Sequence, residues 1–142
     1  MLLRSRFILR FSCLDANEGI SIFFYQLVST CEVRPSSTAF LFSLVNKPGW
    51  GPVTFRPPGA VYSDQHATYS CILDGPAFGT GNCDIYIASE ASSNTYSYSY
   101  LGYTYNPPSG YSYTSEFAKS FLAGSQTFKP DEVEVFYETN YK

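Results

Sequence analysis

Four cysteines, a single histidine and twelve carboxylates are the side chains of this 142-residue chain that could carry chemistry. The cysteines, Cys13, Cys31, Cys71 and Cys83, form no C-x-x-C pair, and His66 by itself cannot complete a histidine-rich zinc set. They read as thiols buried like small hydrophobes; two disulfides are the alternative in an exported protein. No N-x-S/T sequon is present, which leans against secretion. Cys83 adjoins Asp84 rather than a cation, so the sequence offers nothing to stabilise a thiolate there. His66, between Gln65 and Ala67, reads as a surface turn residue.

The carboxylates do not assemble a general acid and base. Glu132 and Glu134 lie two apart on one strand face, whereas a glycosidase-type pair faces across a cleft with one member shifted by burial. With Glu138 they form an acidic face suited to a partner's basic patch. No G-x-S-x-G nucleophile elbow occurs. The Gly-rich run "GPAFGTGNCD" (Gly75–Asp84) lacks both the dinucleotide pattern G-x-G-x-x-G and a P-loop lysine, and it leads into a strand. It reads as a tight turn that uses glycine dihedrals. The expectation is a non-enzymatic chain with no metal and no cofactor.

The elements that would position these residues are mostly short strands. "GISIFFYQLV" (Gly19–Val28) is an apolar run that suits a strand or a short buried helix. "TAFLFSLV" (Thr38–Val45) reads as a strand covered on both faces. "VTF" (Val53–Phe55), "AVYS" (Ala60–Ser63) and "ATYSCIL" (Ala67–Leu73) read as further strands. "CDIYIAS" (Cys83–Ser89) is expected to turn Ile85 and Ile87 to one face and Asp84, Tyr86 and Ala88 to the other. "TSEFAKSFLAG" predicts a helix, capped by Thr114 or Ser115 and ended by Gly124. In "PDEVEVFYE", Pro130 and Asp131 make a turn into a strand with Val133, Val135 and Tyr137 on one face. Glu132, Glu134, Phe136 and Glu138 take the other face.

Composition fits that reading. Aromatic residues make up 18% and charged residues only 15%, the reverse of a disordered chain. Short strands with Gly/Pro turns predict a mainly β (α+β) fold, an antiparallel β-sandwich with short flanking helices. The net charge of −3 and the scattered basic residues exclude a phosphate-neutralising surface, so no nucleic-acid partner is expected. No run approaches 18 apolar residues, so no membrane insertion is expected. The start, "MLLRSRFILRFSCL", reads as an irregular segment; a mitochondrial presequence is its alternative, because it is Arg-rich with no acid before Asp15.

The stretch "NTYSYSYLGYTYNPPSGYSY" (Asn94–Tyr113) holds seven tyrosines. No basic groove accompanies it, so a nucleic-acid stacking platform is disfavoured. A strand reading puts Tyr96, Tyr98 and Tyr100 on one face and Ser97 and Ser99 on the other. A β-bulge at Gly102 would keep Tyr103 and Tyr105 on the tyrosine face as well.

Four blocks together resemble the TLDc domain of oxidation-resistance proteins. They are "AFLFSLVN" (Ala39–Asn46), "GPAFGTGNCDIYI" (Gly75–Ile87), "YSYSYLGYTY" (Tyr96–Tyr105) and "FLAGSQTFKPDEVEVFYE" (Phe121–Glu138), the last being the most specific. The residues that carry the match are Phe42 and Asn46, then Gly75, Pro76, Phe78, Gly79, Gly81, Asp84 and Tyr86, then Leu101 and Gly102. The final block adds Phe121, Leu122, Ala123, Gly124 and Ser125, then Glu132, Glu134, Val135 and Phe136. All are expected to be structural. The family loop resembles G-P-x-F-G-G-G-H-D; here Thr80 replaces a glycine, Asn82 takes the histidine position and Cys83 is inserted before Asp84.

The family's earlier patterns, G-F-x-x-x-x-F-H-x-x-C-D and F-G-G, are missing from residues 1–35. The expectation is an unassigned segment over 1–35 and a partial, truncated TLDc domain over 36–140, with "GISIFFYQLV" filling in as a substitute strand. The resemblance implies a soluble, intracellular, mainly cytoplasmic interaction module, linked to oxidative-stress protection and to regulation of the vacuolar proton-pumping ATPase. Its subunits are the implied protein partners, and no catalytic residue comes with the family. The alternatives are a thiol-dependent antioxidant enzyme acting through Cys83 or Cys71, and a partial gene copy without independent function.

Overall fold

Alternating strand patterns fold into two antiparallel sheets in the computed structural model, which describes residues 7–13, 18–23, 31–46, 48–70 and 75–137. In chain order the strands are β1 (Phe7–Cys13), β2 (Glu18–Phe23), β3 (Glu32–Arg34), β4 (Phe40–Val45), β5 (Val53–Phe55) and β6 (Thr68–Ser70). There follow β7 (Ala77–Phe78), β8 (Ile85–Tyr86), β9 (Ser97–Tyr98), helix α1 (Glu116–Ser120), β10 (Thr127–Phe128) and β11 (Glu132–Tyr137). One sheet has the order β11-β1-β2-β4-β5 and the other β10-β9-β8-β7-β6-β3. The fold is mainly β with few helices.

Both sheets contribute to one core. Ala39, Leu41 and Phe55 come from the β4–β5 side; Phe78, Ile85 and Phe128 come from the second sheet; Leu101, Tyr105, Phe121 and Leu122 come from the connections. Large apolar side chains buried this completely are worth about 1.5–3 kcal/mol each. Helix α1 forms where its pattern predicts. The Ser115 hydroxyl accepts the Ala118 amide at 3.2 Å, which satisfies one open donor of the first turn. Gly124, at φ +77°, closes the end by donating to the Ser120 carbonyl.

Several expectations need correction. β4 is not covered on both faces: Leu41 and Ser43 are buried, Phe40 and Phe42 are half-buried, and Leu44 is 48% exposed. "AVYS" is not a strand. Its amides are consumed by the neighbouring turn, Ala60 donating to Gly102 O, and Val61 and Tyr62 both to Tyr103 O. "CDIYIAS" pairs only at Ile85–Tyr86, and Asp84 and Ala88, expected opposite the isoleucines, are buried as well. β10 carried no clear signal, because a two-residue strand has no period to read.

The segment read as irregular contains a strand, and residues 1–6 lie outside the described residues. Phe7–Cys13 lies between β11 and β2, in register from Phe7↔Tyr137 to Ser12↔Glu132 on one side and from Ile8↔Phe23 to Cys13↔Glu18 on the other. The strand alternative for "GISIFFYQLV" holds over 19–23, which pairs with β4; residues 24–28 lie outside the described residues. Deleting residues 1–35 would therefore strip the five-stranded sheet of β1 and β2 and leave β11 without its partner strand. A melting temperature at least several degrees lower, or loss of a cooperative transition, is the expected result; unchanged melting would contradict this topology.

Candidate functional site

The Gly-rich loop builds the most constrained corner of the molecule. After β7 the chain turns through Gly79 (φ +81°) and Gly81 (φ +72°), as the sequence predicts. At Gly79 a Cβ would overlap the Asp84 carboxylate, so the glycine is needed for space as well as for its dihedral. The turn brings Asp84, 0% exposed, under the segment 101–105. Its carboxylate accepts the backbone amides of Gly102 (2.8 Å), Thr104 (2.8 Å) and Tyr105 (3.1 Å). Burial pushes its pKa up to about 7, opposed by those three amides and by the Thr104 hydroxyl.

The same corner anchors Tyr105, whose ring is fully buried and whose hydroxyl donates to Ala67 O at 2.7 Å. Its phenol is held well above the ordinary range by burial and by the neighbouring Asp84. The bulge expected at Gly102 is absent: Gly102 sits in a turn at φ +116°, and Tyr105 faces the core instead of joining the other rings.

The Tyr/Ser alternation itself is as read. Ser97 and Ser99 are 0% exposed and point inward, where the Ser97 hydroxyl accepts the Ala88 amide and the Ser99 hydroxyl donates to Asp84 O. Tyr98 and Tyr100 face outward, and Tyr96 is 75% exposed. The outward rings continue as a ladder: Tyr86 stacks on Tyr98 at 5.0 Å, Tyr98 meets Tyr100 at 5.8 Å, Tyr100 meets Tyr103 at 6.2 Å, and Tyr103 meets Tyr113 at 5.3 Å. Lys119 places its ammonium 5.6 Å from the Tyr100 ring centre.

Beside the ladder lies a half-open groove of about 290 Å³ lined by Val33, Tyr69, Thr80, Cys83, Tyr86 and Tyr98, among others. Burial holds the Tyr98 phenol well above its ordinary range, and the adjoining Cys83 raises it further. Asn82, in the histidine position of the family loop, is exposed and donates to the Tyr103 hydroxyl at 3.0 Å.

A second surface feature escaped the sequence reading. Trp50 (39% exposed) and Tyr111 (40% exposed) meet Phe117, with Tyr111 stacked on Phe117 at 3.8 Å and Trp50 5.5 Å from it. Asn46, a matched residue, positions this tryptophan: its side-chain oxygen accepts the Trp50 amide at 2.9 Å. A cleft of about 240 Å³ lined by Pro48, Phe117, Ser120 and Phe121 adjoins the patch. The only sequence signal was the turn cluster around Trp50; its contacts come from residues more than 60 positions away.

Two members of the acidic face, Glu132 and Glu134, lie within the described residues. Glu132 is exposed and Glu134 half-buried on the edge strand β11, where Glu134 stands opposite Arg10 in register. Glu138 lies outside the described residues, as does Cys71. Cys31 is disulfide-bonded, which departs from the reading of all four cysteines as thiols; Cys83 is a buried thiol. His66 lies in a short 3-10 turn with its ring 4.8 Å from that of Tyr62. Among the described residues no group of three or more His, Cys, Asp or Glu side chains could hold a metal ion, and no helix is long and apolar enough to cross a membrane.

The sequence model of the TLDc domain matches residues 23–138. The chain belongs to the TLDc domain family. No curated protein and no solved structure matches it. Within this TLDc domain, several matched residues sit at the corner described above and in the core: Phe78, Leu101, Gly102, Phe121, Leu122 and Ala123 are all buried, whereas Ser125 and Glu132 are exposed. Gly75 lies against the Ile87 carbonyl, with no room for a Cβ, and Pro76 O accepts the Ile87 amide at 3.0 Å. The Ser125 hydroxyl donates to Thr127 O at 2.6 Å. Val135 and Phe136 lie in β11, paired with Leu9 and Ile8 of β1.

Asp84 makes the stability of this TLDc domain pH-dependent. Its pKa of about 7 in the folded chain lies above the ordinary 3.8, so the folded chain holds this proton more tightly than the unfolded chain. The stability it confers is complete below about pH 4 and is lost as pH rises through about 7. Chemical unfolding from pH 4 to 8 should show wild-type stability falling, by a few kcal/mol across the window, relative to Asp84→Asn. A difference between the two proteins that stays constant with pH would contradict the assignment.

Proposed function

We propose that this TLDc chain is a non-enzymatic protein-interaction module, intracellular and cytoplasmic, acting in oxidative-stress protection through the vacuolar proton-pumping ATPase. The observation that carries the reading is the exposed Trp50–Tyr111–Phe117 patch with its adjoining cleft. Tryptophan and tyrosine are the residues that most often dominate binding energy at protein interfaces. The chemistry-bearing groups, in contrast, are committed to structure: Asp84 to three backbone amides and Tyr105 to a carbonyl. The link to the proton pump rests on family membership. The two sheets, which share one core, are read here as the faces of a sandwich, and the domain as a partial one.

The thiol-enzyme alternative would act through Cys83 or Cys71. Cys83 is only 6% exposed, which counts against rapid reaction with an oxidant.

Capture of proton-pump subunits by the recombinant chain tests the proposal. Wild type should enrich them over a denatured control, and Tyr111→Ala and Trp50→Ala should each weaken capture about tenfold or more. Because Trp50 also touches the buried Phe121 ring, melting of each variant is measured alongside, and Tyr111→Ala gives the cleaner result. No enrichment by wild type contradicts the proposal.

A further inference from the structure

Strand register places Val33, Tyr69, Ala77, Tyr86 and Tyr98 in one row across the second sheet. The alternate row holds Phe78 and Ile85, which are in the core, so the tyrosine row is the outer face. The groove of about 290 Å³ opens on this row and is bounded on one side by the β7–β8 turn, with Thr80 and the buried Cys83. Among the described residues its lining offers aromatic rings, phenol and threonine hydroxyls, the buried Cys83 and one aliphatic wall, and no charged side chain.

That lining selects by charge. The electron-rich faces of tyrosine rings attract cations and disfavour anions. The chain uses this attraction on itself: Arg56 lies 5.0 Å from the Phe40 ring centre, and Lys119 lies 5.6 Å from that of Tyr100, the next tyrosine along the ladder from Tyr98. The protein as a whole is acidic, at −3; on the edge strand β3 Val33 is flanked by Glu32 and Arg34, which pair with each other at 2.9 Å and so add no net charge beside the groove. Among cations, guanidinium fits better than ammonium. It is planar, stacks on rings and is weakly hydrated, so a groove without carboxylates loses less by stripping its water.

We infer that the groove between Tyr69, Tyr86 and Tyr98 is a binding site for an arginine side chain of a partner protein. The guanidinium lies against the rings with its N–H groups on the tyrosine and Thr80 hydroxyls, and its methylene stem runs past Val33. The site deepens the interaction-module reading and rests on it, but it is separate from the Trp50 patch. It commits to a positively charged element of the partner, where the Trp50 patch requires an apolar one.

The experiment is a titration of the full chain with N-acetyl-arginine amide, followed by NMR, with the citrulline and norleucine amides as neutral controls. Saturable shifts at Val33, Tyr69, Tyr86 and Tyr98 with arginine, at least fivefold weaker with both controls and lost in Tyr86→Leu and Tyr69→Leu, are the expected result. The Gly102, Thr104 and Tyr105 amides report that each variant keeps its fold. Equal shifts from citrulline or norleucine, shifts that survive both substitutions, or no saturable shift overturn the inference. Since no pump subunit is used, failure here leaves the capture result unaffected, and failure of capture leaves an arginine site of unknown partner.

Discussion

A single buried carboxylate ties this fold together. Asp84 gathers three backbone amides from the turn 102–105, which has no sheet partner of its own to satisfy them. Leaving a buried amide without an acceptor costs about 1–3 kcal/mol, so losing all three threatens a domain whose whole stability is of the order of 5–15 kcal/mol. The corner propagates outward from there. Tyr105 reaches Ala67, Gly79 donates to the same carbonyl, and the loop 60–62 hangs on the carbonyls of Gly102 and Tyr103. Gly79 of the family loop leaves room for this carboxylate, and burial is the cause of its raised pKa.

The tyrosine-rich stretch owes its odd composition to the two sides of one short strand. Inside, small serines fit beneath the sheet and bond to backbone groups of neighbouring segments, which larger side chains could not do. Outside, the tyrosines meet edge to face along the segment 98–113, and Tyr86 stacks on Tyr98 across β8 and β9. What looks like low complexity is a division of labour between an inner row that satisfies hydrogen bonds and an outer row that presents rings. The two surface features, the ring-lined groove and the Trp50 patch, follow from the same shortage of charged residues.

Much of this was legible in the sequence because period and capping are local. β4, β5, β11 and α1 follow from alternation, β-branching and a Ser cap, and the Tyr/Ser faces follow from period two. The failures share a cause. "AVYS" has the composition of a strand, but its amides are taken by a turn some 40 residues later, and no local rule sees that. Gly102 suits a bulge or a turn equally, and the choice is made by Asp84, which lies 18 residues away. The start of the chain reads as irregular because Arg10 interrupts its apolar run, yet Phe7–Cys13 forms a strand between two others. The Trp50 patch was invisible because its three rings come from separate segments.

The central claim is that the 102–105 turn is as stable as the core because one carboxylate holds it. Native-state hydrogen exchange of the Gly102, Thr104 and Tyr105 amides measures this directly. In wild type the three should exchange only as fast as the whole domain unfolds, and in Asp84→Ala they should become orders of magnitude faster. Exchange in wild type at the rate of an exposed loop would contradict the account.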